Sequence, residues 1–189
     1  MVGIIIGPKR RGIHLKHKFN NRKEIYHGRI VNLTVDEITT ANGQETIREV
    51  FHHPGGAAVV PVLRNGDILL VRQFRYPMQE YLLEIPAGKI DSGEAPEVTA
   101  ARELVEEVEF TAGVLRKIGE FYTTPGFCNE KIHLFLAKDL VASQKTPDFD
   151  EEIEVVRHPL GTLLELITEG RIIDAKTIIG IQYLSLNQG

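Results

Sequence analysis

Cysteine occurs once in the 189 residues, at position 128. That excludes an intrachain disulfide and any metal site built from cysteines, and it suits a reducing compartment. Long apolar runs are missing as well. No stretch approaches the 18 or more consecutive apolar residues that a membrane-spanning helix needs. Residues 1–7 are apolar, but Lys9, Arg10 and Arg11 follow them at once, the reverse of the order in a secretory signal. A cytoplasmic protein with no membrane partner is the expectation. Excess positive charge is absent too. The formal net charge of −4 gives no reason to expect nucleic acid as a partner. An anionic small molecule stays open, because local arginines or bound cations reverse the sign inside a cleft.

What is present is an ordinary globular composition, 42% apolar and 25% charged, without internal repeat or low-complexity tract. The length suits one compact domain, or a catalytic domain with a small appendage. Residues 24–51 read as strand material, with Tyr26, Ile30, Leu33, Val35 and Ile38 mostly separated by polar residues. Asn42-Gly43 is a two-residue hairpin signal there. His53-Pro54-Gly55-Gly56 punctuates the chain and marks the best internal boundary. It divides a small β unit (1–53) from a larger unit (54–189). Further strand patterns cover residues 57–63, 68–71, 81–85, 115–121 and 131–137, with Val155-Val156 in another short strand.

Three segments read as helix. In the first, Pro96 suits the opening turn and Val98, Ala101, Val105 and Val108 recur at spacings of three and four, with Gly113 past the end. That apolar series is expected to pack on a sheet. The others are residues 160–169, closed by Gly170, and residues 175–186. Strands, helix, strands, helix is the order of an α/β protein rather than a helical bundle.

The first helix carries the chemistry. Glu103, Glu106 and Glu107 lie at i, i+3 and i+4, which puts three carboxylates on one face. Like charges this close repel unless something positive sits among them. Arg102 neutralises part of the cluster, and the remainder matches hard divalent cations, Mg²⁺ or Mn²⁺, which take oxygen ligands. From these residues alone a solvated acidic face remains an alternative. Upstream, Pro86-Ala87-Gly88 ends a strand, and a short loop with Asp91, Gly93 and Glu94 enters the helix, so a backbone carbonyl can join the ligands.

Gly88, Glu94 and then Arg102-Glu103-Leu104-Val105-Glu106-Glu107, at these gaps, resemble the Nudix box. The resemblance implies an α/β/α sandwich with a mixed sheet, and hydrolysis of a nucleoside diphosphate linked to another group. By it, Glu103, Glu106 and Glu107 are metal ligands, the Ala87 carbonyl adds another, and Arg102 pairs with Glu94 to hold the loop to the helix. One position departs from the pattern: Glu109 stands where the family usually has a glycine, which would ease the helix exit through a left-handed conformation.

The likeness extends over roughly residues 54–189 and points to the ADP-ribose pyrophosphatase branch. It is carried by Gln73-Phe74-Arg75-Tyr76-Pro77, by residues 83–91, by Tyr122-Thr123-Thr124-Pro125-Gly126-Phe127 and by residues 170–177. It implies that Arg75 contacts the diphosphate, its planar fork pairing with phosphate oxygens at two points. Glu84 lies in the same site. Arg72 and Glu130 are further substrate-binding candidates. The adenine is held from the N-terminal β unit of a partner subunit in a homodimer, where Tyr26, Ile30, Ile47 and His52 are the nearest positions. The expected reaction is Mg²⁺-dependent (or Mn²⁺-dependent) hydrolysis of ADP-ribose to AMP and ribose 5-phosphate. A carboxylate that ligates metals is a weak base, so the base is sought outside the helix. The resemblance places it in the acidic loop 146–152, with Glu151 the best match and Glu152 the second. The alternatives are a Nudix hydrolase of another nucleotide sugar or a nucleoside triphosphate, and a catalytically silent nucleotide-binding protein, the last motivated by Glu109.

Overall fold

The computed structural model describes residues 17–143 and 153–187. By its internal contacts the chain divides into two compact units between His52 and His53.

The first unit is an antiparallel meander of β1 (Lys18–His27), β2 (Asn32–Thr39) and β3 (Glu45–His52). The chain reverses at Gly28, whose N–H donates to the Val31 carbonyl at 3.0 Å, so the span expected as one hairpin is three strands. The Asn42-Gly43 turn also differs from a two-residue loop. Thr40 N–H donates to the Gln44 carbonyl (2.8 Å), and only Gly43 takes a positive φ, 86°. A two-residue type I′ turn needs positive φ at both central residues. Here the longer loop leaves that burden to the glycine.

The second unit is α/β. It contains β4 (Gly56–Pro61), β5 (Asp67–Arg75), β6 (Glu80–Glu84), β7 (Ala87–Lys89), α1 (Pro96–Val108), β8 (Phe110–Tyr122), β9 (Lys131–Ala142), β10 (Ile153–Pro159), α2 (Leu160–Thr168) and α3 (Ala175–Leu186). One sheet has the order β7-β4-β9-β8 and is mixed, since β4 and β9 run parallel while the other pairs are antiparallel. The other has the order β10-β5-β6 and is antiparallel.

Strand β4 is buried along its whole length, which suits its apolar sequence. Its side chains alternate between two cores. Ala57 and Val59 join Leu69, Val71 and Phe135 against Ala100, Leu104 and Val108 of α1. Ala58 and Val60 join Ile68, Leu70 and Leu134 against Leu163 of α2 and Ile181 of α3. A mixed sheet core flanked by three helices is the Nudix-type sandwich the sequence predicts.

Helix α1 is rotated from its expected orientation. Val98 is 55% exposed, and the buried residues are Thr99, Ala100, Glu103, Leu104 and Val108. A charged residue thus belongs to the packed face. The helix ends at Val108 with Glu109 as its C-cap, and Gly113 lies past that end, within β8.

Candidate active site

The loop from β7 to α1 is tied to the helix by Glu94. Its carboxylate accepts from Thr99 Oγ1 at 2.7 Å and from Arg102 Nε and Nη2 at 3.5 and 3.3 Å. Arg102 also donates from Nη2 to the Lys89 carbonyl (3.3 Å), and from Nη1 to Glu103 Oε1 (2.7 Å) and Glu106 Oε2 (2.9 Å). Burial works against the guanidinium charge, but hydrogen bonds to Glu94 and Glu106 with the nearby Glu103 outweigh it and raise the Arg102 pKa above its ordinary value. Arg102 and Thr99 in turn hold Glu94 below the usual carboxylate range.

Glu103 reaches the packed face because Gly88 leaves room for it. A β-carbon at Gly88 would fall 1.7 Å from Glu103 Oε1. Glu107, one turn further along α1, accepts from the Ala87 N–H at Oε2 (3.0 Å). Ala87, Glu103, Glu106, Glu107 and Arg102 therefore meet where β7 passes α1. Carboxylates and a peptide carbonyl are the hard oxygen donors that Mg²⁺ and Mn²⁺ take, so the donor chemistry fits such a cation. As arranged, no three His, Cys, Asp or Glu side chains among the described residues converge tightly enough to hold a metal ion. The contacts give the reason: Arg102 Nη1 lies between Glu103 and Glu106, and Glu107 leans on the Ala87 N–H.

A second charged cluster is built on β5, β6 and α3. Arg75 forks onto Glu84, Nε to Oε1 at 2.6 Å and Nη2 to Oε2 at 2.7 Å. The Glu84 side chain is 2% exposed, and Lys176 Nζ donates to its Oε2 as well. Burial pushes the Glu84 carboxyl up, but Arg75 and Lys176 together hold it below its ordinary value. Lys176 also donates to Asp174 Oδ1 (3.0 Å), and Asp174 caps α3 by accepting from the Thr177 N–H (2.9 Å). Thr177 Oγ1 accepts from the Ile85 N–H at 2.8 Å, joining α3 to the end of β6.

Sequence reasoning placed Arg75 and Glu84 together but missed Lys176, Asp174 and Thr177. The signal was available. Asp174 with Thr177 three residues on is a helix-start pattern. A lysine in a first helical turn opposes the helix dipole and so implies an acidic partner nearby.

The remaining candidates lie elsewhere. Arg72 is three residues from Arg75 on β5 and so points to the opposite face. There it stacks over Tyr81 (4.4 Å to the ring centroid) and pairs with Glu154 at 3.2 Å. Glu130 accepts from Thr123 Oγ1 at 2.7 Å and stands 3.2 Å from His53 Nδ1. That nitrogen already accepts from the Gly55 N–H, so the His53 pair is the weaker of its contacts. Tyr26 and His52 belong to the N-terminal unit. Tyr26 is exposed on β1, and His52 Nε2 is 3.0 Å from Thr34 Oγ1. Glu151 and Glu152 lie outside the described residues.

Residues 52–179 match the NUDIX domain model. The chain belongs to the Nudix family. It is 42% identical over 176 residues to the ADP-ribose pyrophosphatase of Bacillus subtilis (strain 168), covering 92% of this chain and 95% of that one. It is 37% identical over 167 residues to the GDP-mannose pyrophosphatase of Cronobacter sakazakii (strain ATCC BAA-894), covering 82% and 86%. A crystal structure of an ADP compounds hydrolase shares the fold with a TM-score of 0.80 at 23% identity, over 90% of this chain and 93% of that one. This Nudix chain is thus related to ADP-ribose pyrophosphatase-like hydrolases. Among its described residues, no helix is long and apolar enough to cross a membrane.

Proposed function

We propose that this Nudix protein hydrolyses the diphosphate of ADP-ribose, releasing AMP and ribose 5-phosphate. The observation that carries the proposal is the seating of Glu103 on Gly88, with Glu106 and Glu107 one turn along α1. It supports a reading in which these carboxylates and the Ala87 peptide act together. Identity to an ADP-ribose pyrophosphatase over nearly the whole chain supports the choice of substrate.

In this reading Glu103, Glu106, Glu107 and the Ala87 carbonyl hold Mg²⁺, with Mn²⁺ as a substitute. The cation supplies charge neutralisation on the diphosphate and makes water a better nucleophile. Arg75 and Lys176 present positive charge beside Glu84, where a diphosphate oxygen exchanges with part of the carboxylate's contacts. Arg102 and Glu94 keep the loop and the helix in one geometry. Water attacks one phosphorus, the bond from that phosphorus to the bridging oxygen breaks, and a carboxylate among residues 146–152, Glu151 by resemblance, takes the proton. Tyr26 and His52 serve adenine binding from the N-terminal unit of a partner subunit, as the resemblance implies. The N-terminal unit makes the dimer contact. Its sheet exposes Phe19, Ile25, Tyr26 and Ile47, apolar side chains that a contact with a second copy would cover.

A second reading is hydrolysis of another nucleotide sugar, which the GDP-mannose pyrophosphatase relative favours. One assay separates the two. ADP-ribose, GDP-mannose, other sugar diphosphonucleosides, dinucleotides and nucleoside triphosphates are incubated in Mg²⁺ and the products resolved by chromatography. Highest kcat/KM on ADP-ribose with AMP as product supports the proposal. Higher kcat/KM on any other member of the panel overturns it.

A further inference from the structure

We infer that Arg102 is an exchangeable counterion: it occupies the point between Glu103 and Glu106 that a divalent cation ligating both would take, and so sets the affinity for that cation from within the chain. The inference rests on the metal-ligand reading of Glu103, Glu106 and Glu107 above. The guanidinium has two sets of partners. Nε and Nη2 meet Glu94, in the loop before the helix, and the Lys89 carbonyl, at the end of β7. Nη1 alone serves Glu103 Oε1 and Glu106 Oε2, at 2.7 and 2.9 Å.

A cation bound to those carboxylates at the usual ~2.1 Å would lie within ~5 Å of Nη1. Two positive centres that close repel, most strongly where water is partly excluded. The arginine side chain is 29% exposed and the two carboxylates are 11% and 22% exposed, so screening is incomplete. Arg102 therefore gives up its Nη1 contacts when the cation binds. It does not have to leave the site, because Glu94 is fixed by Thr99 and keeps hold of the other edge of the guanidinium. Two consequences follow. Arg102 holds the acidic face together before the cation arrives, and it lowers the apparent affinity once the cation competes.

The test uses the full chain stripped with a chelator, with Mn²⁺ as the probe and free Mn²⁺ read by electron paramagnetic resonance. The parent, Arg102→Met and Arg102→Lys are titrated without substrate, and their melting temperatures are taken with and without Mn²⁺. Arg102→Met is expected to bind Mn²⁺ about tenfold more tightly, the scale of two part-exposed ion pairs. It should melt lower than the parent without Mn²⁺ and gain more on its addition. Arg102→Lys falls between, since an ammonium lacks the fork that spans both carboxylates and Glu94. If Arg102→Met fails to fold, tighter binding by Arg102→Lys than by the parent supports the counterion in its place. Equal or weaker Mn²⁺ binding in the folded variants, with the parent binding normally, overturns the counterion and makes Arg102 a scaffold for the ligands. No Mn²⁺ binding by the parent overturns the metal-ligand reading, and this inference with it.

Discussion

Glu103 lays its carboxylate against the α-carbon of Gly88, so close that a β-carbon there would stand 1.7 Å from Oε1 and 2.1 Å from Cδ. The glycine and the glutamate are thus one feature, a groove in β7 and the side chain that fills it. Adding a methyl group by Gly88→Ala displaces the Glu103 carboxylate by an ångström or more. We expect kcat to fall about 100-fold or more, the usual result of a misplacement of that size. Stability should fall by about 1–3 kcal/mol, as for an overpacked site. Steady-state kinetics in Mg²⁺ with urea unfolding measure the two. Parent-like turnover in a folded Gly88→Ala would detach Glu103 from the chemistry.

Glu84 is buried between Arg75 and Lys176, and its neutralisation removes the one negative charge that stands between these two cations. Glu84→Gln is expected to destabilise the protein at pH 7 by about 3 kcal/mol, the scale of breaking a buried charge cluster. Its folded pKa is held below the ordinary 4.5, so its contribution is complete above the unfolded value and is lost as pH falls through the folded one. The difference between parent and variant should therefore be constant at neutral pH and narrow below pH 4.5. Urea titrations across pH check this, and a gap that widens with acid would contradict it.

Glu109 leaves α1 with φ 63° and ψ 34°, the left-handed conformation that a glycine adopts without strain, and its N–H still donates to the Val105 carbonyl at 3.1 Å. The departure from the family pattern therefore changes the residue without changing the exit. Glu109→Gly should stabilise the chain by about 0.5–1 kcal/mol, the relief of left-handed strain less the added freedom of the unfolded glycine. Turnover should stay within about twofold, because Glu109 lies outside the ligand set. Thermal melts and kcat test both halves. A large gain in kcat would show that the exit limits the site.

Helical spacing made the shared face of Glu103, Glu106 and Glu107 legible, and the resemblance carried by Gly88, Glu94 and Arg102 implied the pairing of Arg102 with Glu94 that the structure contains. The orientation of α1 was not legible. Val98, Ala101 and Val105 keep helical spacing, yet the sheet offers small residues, Ala57 and Gly88, that accept Ala100 and Glu103 instead. Periodicity reports which residues share a face. It does not report which face meets a partner with room for it. Lys176 escaped for a related reason: its place in the first turn of α3 calls for acidic partners, and Asp174 is one, but nothing local says that Glu84, 92 residues away on β6, is the other. The N-terminal meander hid its first reversal because Gly28 closes the turn without the Asn-Gly signature that marks the second.

The central claim is that the carboxylates of α1 serve catalysis rather than solubility, and Glu107→Gln tests it most directly. Glutamine keeps the shape of the side chain and an oxygen to accept from the Ala87 N–H, now 3.0 Å from Oε2, but removes the charge. The measurement is kcat on ADP-ribose in saturating Mg²⁺, beside the melting temperature without metal. The account predicts a fall in kcat of about 100-fold or more, the scale of losing a charge that stabilises the transition state, with a melting temperature within a few degrees of the parent. Parent-like turnover from a folded Glu107→Gln would contradict it.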